Sequence, residues 1–360
     1  MLVADVSLLL ARVVLPCRLM RSLLRLAGWS SLIVILFLVG ILTLFSWQAD
    51  RREQSSRQEA APQSGRFVQS SDVELFVQEA GPADGPAVIF VHGTGAWSEM
   101  WREPMTALAA AGYHAIAVDV PPFGFSEKPS RARYSTEDQA RRIVSLVRTL
   151  ELPHVTLVGH SFGCRATVDA ALHLKDQIDS LVLVDAAVNP TMGTAPPEPP
   201  SITGRITVAV FEIPFVRRAL VAATVTNPLL TRRLFQTLIE DPDDATDSLV
   251  SMLQRPLVVR ESTPKLSEWM QEFLFGDDAG ALSSRAAAYR TFTPPTLLLW
   301  GERDQLTPLS KAEQLKNLLP DASIEVLKGL GHIPQVEDTA QFTGALLRFL
   351  TAQVPVQKTP

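Results

Sequence analysis

The segment Gly159-His160-Ser161-Phe162-Gly163 sets a serine between two glycines, each two residues away. It follows the apolar run Val155-Thr156-Leu157-Val158 and opens a helix-like stretch at Gly163. A strand that turns sharply into a helix presents its turn residue at the strand end, near the positive end of the helix. The glycines remove Cβ atoms where strand and helix crowd together. A hydroxyl held there becomes a nucleophile when a base takes its proton. In an ordinary loop the same letters would mark only a glycine-rich helix start.

The chain has six histidines. His160 adjoins Ser161, and the turn is expected to direct its ring away from the hydroxyl. His92 belongs to another loop, His114 and His154 precede strands, and His173 lies late in a helix. His332 stands in the loop Gly329-Leu330-Gly331-His332, after an apolar run ending at Leu327, and is the candidate base. An acid that orients this base is expected between serine and histidine. Asp304 fits, in Trp300-Gly301-Glu302-Arg303-Asp304 directly after the strand Thr296–Trp300. Glu302, nearer the strand, and Asp185, at the end of Leu181–Val184, are its rivals. Oxyanion donors are expected from the Phe162 amide and from the loop His92-Gly93-Thr94-Gly95, at the Thr94 amide. No metal and no cofactor is called for.

These residues need a scaffold that brings strand ends together. Arg66–Gln69 and Val73–Glu79 read as paired strands. Strand and helix then alternate. Ala87–Val91, Ala115–Val120, Val155–Val158 and Leu181–Val184 are the strands, and Met105–Ala111, Thr136–Leu150 and Gly163–Leu174 the helices. The alternation predicts a parallel sheet covered by helices on both faces. It stops over 188–290, where Phe215–Thr224, Leu229–Ile239, Thr246–Leu253 and Lys265–Phe275 read as helices. It resumes with Thr296–Trp300, Leu309–Leu319, Ser323–Leu327 and Thr339–Ala352. The core is therefore expected at 66–187 and 291–354, with 188–290 as a helical cap over the sheet's carboxyl edge. Trp97, Trp101, Trp269 and Phe273 are candidates to line an apolar substrate pocket, or else ordinary core.

The order HGTG, DVPPFGFS, GHSFG, WGERD and GH resembles the α/β-hydrolase superfamily over roughly residues 66–352. The resemblance implies an α/β-hydrolase fold, mostly parallel, with a helical cap insertion. Asp119–Ser126 looks like a loop that haloalkane dehalogenases, epoxide hydrolases and carbon–carbon bond hydrolases place near the active site, with Pro122 where those relatives usually have glycine. Dehalogenases and epoxide hydrolases use an aspartate nucleophile, and Ser161 argues against both activities. A carboxylic ester hydrolase acting through an acyl-enzyme is the leading expectation. A carbon–carbon bond hydrolase and a non-catalytic membrane-tethered binding protein are the alternatives. Cys164 replaces the second of two family glycines and reads as a buried structural thiol.

The N-terminus adds a membrane expectation. No charged residue occurs from Leu26 to Ala49, and Trp29 and Trp47 flank the apolar centre. About 20 apolar residues cross a bilayer core, so 26–49 reads as one transmembrane helix. A cleaved signal and a buried core helix are the rival readings. Residues 1–25 are apolar and basic, with Pro16 expected to stop a surface-lying helix, and 50–65 reads as a polar linker. Arginines before and after the span nearly balance, and the signal-anchor default puts the catalytic domain outside the cytoplasm. A net charge of −5 gives no footprint for nucleic acid. The expected partners are the membrane and a small-molecule ester or lipid-derived substrate. Cys17 and Cys164 lie in different contexts and are not expected to pair.

Overall fold

The computed structural model of the chain describes residues 3–191, 202–278 and 280–353. The expected cap and core include 192–201, 279 and 354, which lie outside the described residues, as do residues 1 and 2 of the N-terminal segment. Helix α1 (Val3–Arg52) and the short α2 (Arg57–Ala60) come first. Then follow β1 (Gly65–Gln69), β2 (Glu74–Ala80), β3 (Ala87–Val91), α3 (Arg102–Ala110), β4 (His114–Val118), α4 (Thr136–Thr149), β5 (Val155–His160), α5 (Gly163–Leu174) and β6 (Ile178–Val184). The insertion carries α6 (Ile202–Glu212), α7 (Pro214–Ala223), α8 (Pro228–Gln236), α9 (Asp247–Gln254) and α10 (Ser262–Phe275). The chain closes with α11 (Ala286–Arg290), β7 (Thr296–Gly301), α12 (Ser310–Lys316), β8 (Ala322–Leu327), α13 (Pro334–Glu337) and α14 (Thr339–Gln353).

The strands form one eight-stranded sheet in the order β1-β2-β4-β3-β5-β6-β7-β8. β2 is antiparallel to β1 and β4, and every later pairing is parallel. A parallel interior strand is covered on both faces, so its sequence is apolar throughout. In β3, Ile89 and Val91 pack with Ile143 and Val147 of α4, while Val88 and Phe90 pack with Leu108 of α3 and Phe342 of α14. This is the period-two alternation of a strand between two helical layers. The strand order reverses at β3, with β4 on one side and β5 on the other. Connections from these neighbours leave to opposite faces, which opens a crevice at the carboxyl ends of the strands.

The described residues between β6 and β7 carry helices α6–α10, and this insertion packs against loops at that crevice. The Trp97 indole donates to the Met252 carbonyl at 3.0 Å, and the His332 amide to the Leu238 carbonyl at 2.9 Å. Helix α6 was not among the expected helices. Its sequence is apolar on nearly every side, so it lacks the one-sided pattern that marks an amphipathic helix.

Two N-terminal expectations change. The backbone stays helical through Pro16, because a proline removes one helix hydrogen bond and kinks a helix favoured on both sides without having to end it. Residues 50–65 are not a free linker. The buried Glu53 carboxylate accepts from the amide and hydroxyl of Thr263, and Arg52 donates to the carbonyls of Leu257 and Thr226. Ser55 bridges Val259. Polar composition suggested solvation, yet these groups have specific partners on the cap.

Gly28–Arg52 is long and apolar enough to cross a membrane. Side chains from Leu32 to Val39 are 43–66% exposed, which excludes a buried core helix and leaves an anchor or a signal sequence.

The docked junction sets a limit on truncation. Removing residues 1–60 takes away the partners of Thr263, Thr226 and Leu257, and buried groups left unpaired cost about 1–3 kcal/mol each. A chain starting at 61 is expected to unfold at lower urea than one starting at 45. Equal midpoints and slopes in the two denaturation curves would show that the junction adds no stability.

Candidate active site

Ser161 lies between β5 and α5 with φ of +50°, a left-handed backbone rarely taken by non-glycine residues. The packing around it explains the two glycines. A Cβ on Gly159 would come within 2.5 Å of Thr167 Oγ1, and one on Gly163 within 2.3 Å of the His92 carbonyl oxygen. The Ser161 amide donates to Val184 O at 2.9 Å, and its carbonyl accepts from Ala187 N at 3.1 Å, tying the turn to β6 and the residues after it.

His332 Nε2 is 2.8 Å from Ser161 Oγ, and His332 Nδ1 is 2.7 Å from Asp304 Oδ2. The three side chains make one continuous line and are all buried. Asp304 Oδ1 accepts the amides of Leu306 and Thr307 at 2.8 and 2.9 Å, and Oδ2 also accepts the Thr307 hydroxyl. Burial raises the Asp304 pKa, but hydrogen bonds and charge from His332, with those from Thr307, outweigh it and bring it to about 2. The carboxylate is therefore ionised where it faces the imidazole.

The rival acids are placed otherwise. Glu302 accepts the Gly329 amide at 3.0 Å and supports the histidine loop from outside. Asp185 is fully buried, and its Oδ1 accepts the Gly301 amide at 2.9 Å. Burial first, and then the neighbouring Asp304 charge, push its pKa well above the carboxylate range. Asp185, Asp304 and His332 bring potential metal-ligand atoms within 4.8 Å of one another. The ligand atoms of His332 and Asp304 already bond each other, however, so an ion would have to replace that bond.

Gly93 lies against the serine, for a Cβ there would fall 3.0 Å from Ser161 Cβ. Its neighbour Thr94 is exposed. Neither the Thr94 nor the Phe162 amide has a protein acceptor among the described residues. Trp269 and Phe273 stack at 5.0 Å and meet the Phe162 ring edge-on at 5.3 and 5.2 Å. Trp97 does not join them. It packs with Phe76, Phe125 and Val259, because its indole is tied to Met252. Trp101 is core between Phe90 and Phe342. Cys164 is fully buried, and burial raises its thiol pKa far above the usual range, which leaves it inert.

Three supporting groups escaped the sequence reading. His160 Nε2 donates to the His332 carbonyl at 2.8 Å, so its ring turns from the hydroxyl yet braces His332. Glu337 accepts the amides of Gly331, Ile333 and Glu240, clamping the histidine loop to the cap. Asp119 accepts the amides of Ser98 and Phe125, both at 2.7 Å, and joins two loops at the crevice. No residue spacing announces the His160 and Glu337 contacts. The Asp304 turn was readable, since an aspartate bonding amides two and three residues on is a local motif.

Burial lowers His160 to about 3 and His92 to about 4, so both are neutral in the folded chain. Unfolded histidine takes its proton near pH 6.5. Between those values the unfolded state binds more protons, and stability falls as pH falls. Each histidine is expected to remove up to about 1.4 kcal/mol per pH unit below 6. Urea titrations from pH 7 to 4.5 should show this slope, and His160→Gln should flatten it. An unchanged slope in that variant would contradict the burial argument.

The fold has counterparts among known proteins. Residues 86–339 match the family described as alpha/beta hydrolase fold. Epoxide hydrolase A of Mycobacterium tuberculosis is 26% identical over 79% of this chain and 97% of its own length. Lipase 1 of Psychrobacter immobilis is 25% identical over 79% of this chain and 84% of its own. The crystal structure of a membrane phospholipase A superposes with a TM-score of 0.62 at 24% identity, covering 93% of this chain and 99% of that one. With its eight-stranded, mostly parallel sheet and a family match over most of its length, the chain belongs to the α/β-hydrolase fold family.

Proposed function

We propose that the chain is a membrane-anchored serine hydrolase that cleaves carboxylic esters through an acyl-enzyme. The observation that carries this reading is the line from Ser161 Oγ through the His332 ring to Asp304 Oδ2, with bonds of 2.8 and 2.7 Å. His332 Nε2 takes the hydroxyl proton as Ser161 Oγ attacks the ester carbonyl. The tetrahedral oxyanion is held by the Phe162 and Thr94 amides. Collapse breaks the bond to the alkoxy oxygen, and His332 returns the proton to the leaving alcohol. Water then loses a proton to His332 as it attacks the acyl carbon, the bond from that carbon to Ser161 Oγ breaks, and His332 returns the proton to Oγ as the carboxylic acid leaves. Asp304 stays ionised, fixes the imidazole tautomer and stabilises the imidazolium.

Trp269 and Phe273 form the apolar wall beside Ser161 that takes the acyl or alcohol group. Similarity to Lipase 1 supports an ester substrate, and a serine at the turn sets the chain apart from carboxylate-nucleophile chemistry. The apolar α1 is the anchor, with the domain on the extracytoplasmic side.

Fluorophosphonate labelling tests the nucleophile. A single label at Ser161 is expected, with loss of labelling and of p-nitrophenyl ester hydrolysis in Ser161→Ala. Asp304→Asn is expected to keep the fold and lower kcat by on the order of 10³–10⁴. Asp185→Asn should be far milder. Labelling of another serine, or a crippled Asp185→Asn beside an active Asp304→Asn, would overturn the assignments.

A further inference from the structure

The covered face of α1 extends into its membrane-length stretch. Ile41, Leu42 and Phe45 are half-buried, and Ser46 and Ala49 fully so, while Thr43, Leu44, Trp47 and Gln48 stay exposed. This is one stripe at helical spacing, and α7 is the helix that packs along α1. Arg52 bonds the Thr226 carbonyl, just beyond the end of α7, and Asp50 pairs with Arg218 in its middle. The start of α7, at Pro214, therefore points back toward the span.

The levels can be compared along the helix axis. The uncharged stretch from Leu26 to Ala49 is about 36 Å long at 1.5 Å per residue, against a bilayer core of about 30 Å. A core entered near Leu26 ends near Phe45, so Ile41, Leu42 and Phe45 lie in its last turns. The start of α7 shares that depth. There the cap exposes Val210, Ile213 and Phe215, the last two at 50% and 51%. Leu274 and Phe275, at the end of α10, are also exposed and join them through the Phe211–Phe275 ring contact at 5.5 Å. Arg205 and Glu212 on α6 are exposed too, which suits immersion to the headgroup boundary rather than the bilayer centre.

We infer that this cap face, the α6–α7 corner with the end of α10, docks on the same bilayer that α1 spans and takes lipid-borne esters directly from it. The inference rests on the anchor and ester readings proposed above. Helix α10 connects the two ends of the path. Its outer end carries Leu274 and Phe275, and its inner part carries Phe273 and Trp269 against Phe162, next to Ser161. An acyl chain leaving the leaflet meets apolar side chains along one helix until its ester reaches the serine.

The test uses the full chain in phosphatidylcholine vesicles, on a Cys17→Ser background, with Cys164 too buried to label. Ile213→Cys and Phe215→Cys carry a bimane fluorophore, and Lys316→Cys on α12 is the control. Brominated acyl chains are expected to quench the two cap labels and not the control. Phe215→Glu should lower hydrolysis of a vesicle-borne long-chain ester about fivefold, with the rate on a soluble short-chain ester unchanged. Unquenched cap labels on a protein that resists carbonate extraction would overturn the docking and leave the anchor standing. Disulfide-linked dimers of the unlabelled Phe215→Cys protein, with no quenching of the labelled one, would assign the face to a second copy and overturn it as well. An unchanged vesicle rate in Phe215→Glu would overturn the delivery route. Release by carbonate would overturn the anchor reading and the docking with it, while soluble-ester hydrolysis tests the ester reading separately.

Discussion

The turn between β5 and α5 constrains everything near the site. Five residues must reverse a buried strand into a helix while the middle residue keeps a left-handed backbone at φ +50°. Such a conformation costs roughly 1–3 kcal/mol for a residue with a side chain. Packing sustains it: Ser161 is bonded through its amide and its carbonyl to β6 and the segment after it. The Cβ positions of Gly159 and Gly163 are already filled by Thr167 and the His92 carbonyl. The hydroxyl is thus set by the sheet, and the other groups need only be brought to it.

Loops bring them, and a set of buried hydrogen bonds holds the loops. His332 is reached from three sides, by Asp304 on its ring, by His160 on its carbonyl and by Leu238 of the cap on its amide. Glu337 fixes the residues on either side of it. Electrostatics then divides two neighbouring carboxyl groups. Asp304 has donors enough to stay charged at about 2, whereas Asp185, with one amide and the Asp304 charge beside it, is pushed toward the neutral form. Two like charges so close cannot both persist away from water, and the hydrogen-bond count decides which one does.

The cap links this site to the N-terminus. The insertion touches the histidine loop through Leu238 and Glu240, just after α8, and touches α1 through α7. Glu53, Arg52 and Asp50 convert the end of an apolar helix into a docking joint rather than a tether. A joint bonded at several points fixes which face of the insertion lies along α1, and a flexible linker would leave that free.

Much of this protein is written in local sequence. The strand–helix alternation, the glycine-flanked Ser161, the loop aspartate and the loop histidine all depend on neighbours within a few residues, and periodicity and turn chemistry report those. Loop position favours Asp304 over Asp185 and Glu302 in the sequence, but the donors that surround its carboxylate are counted only in three dimensions. Sequence could not separate Trp97 from Trp269 and Phe273, for all are large apolar groups and only tertiary packing sends one to Phe125 and the others to Phe162. It also misread residues 50–65, because a polar stretch that pairs with a cap some two hundred residues away has the composition of one that pairs with water. Short-range order follows from the chain's own steric and hydrophobic pattern. Partnership between distant polar groups is decided only when the fold brings them within bonding distance.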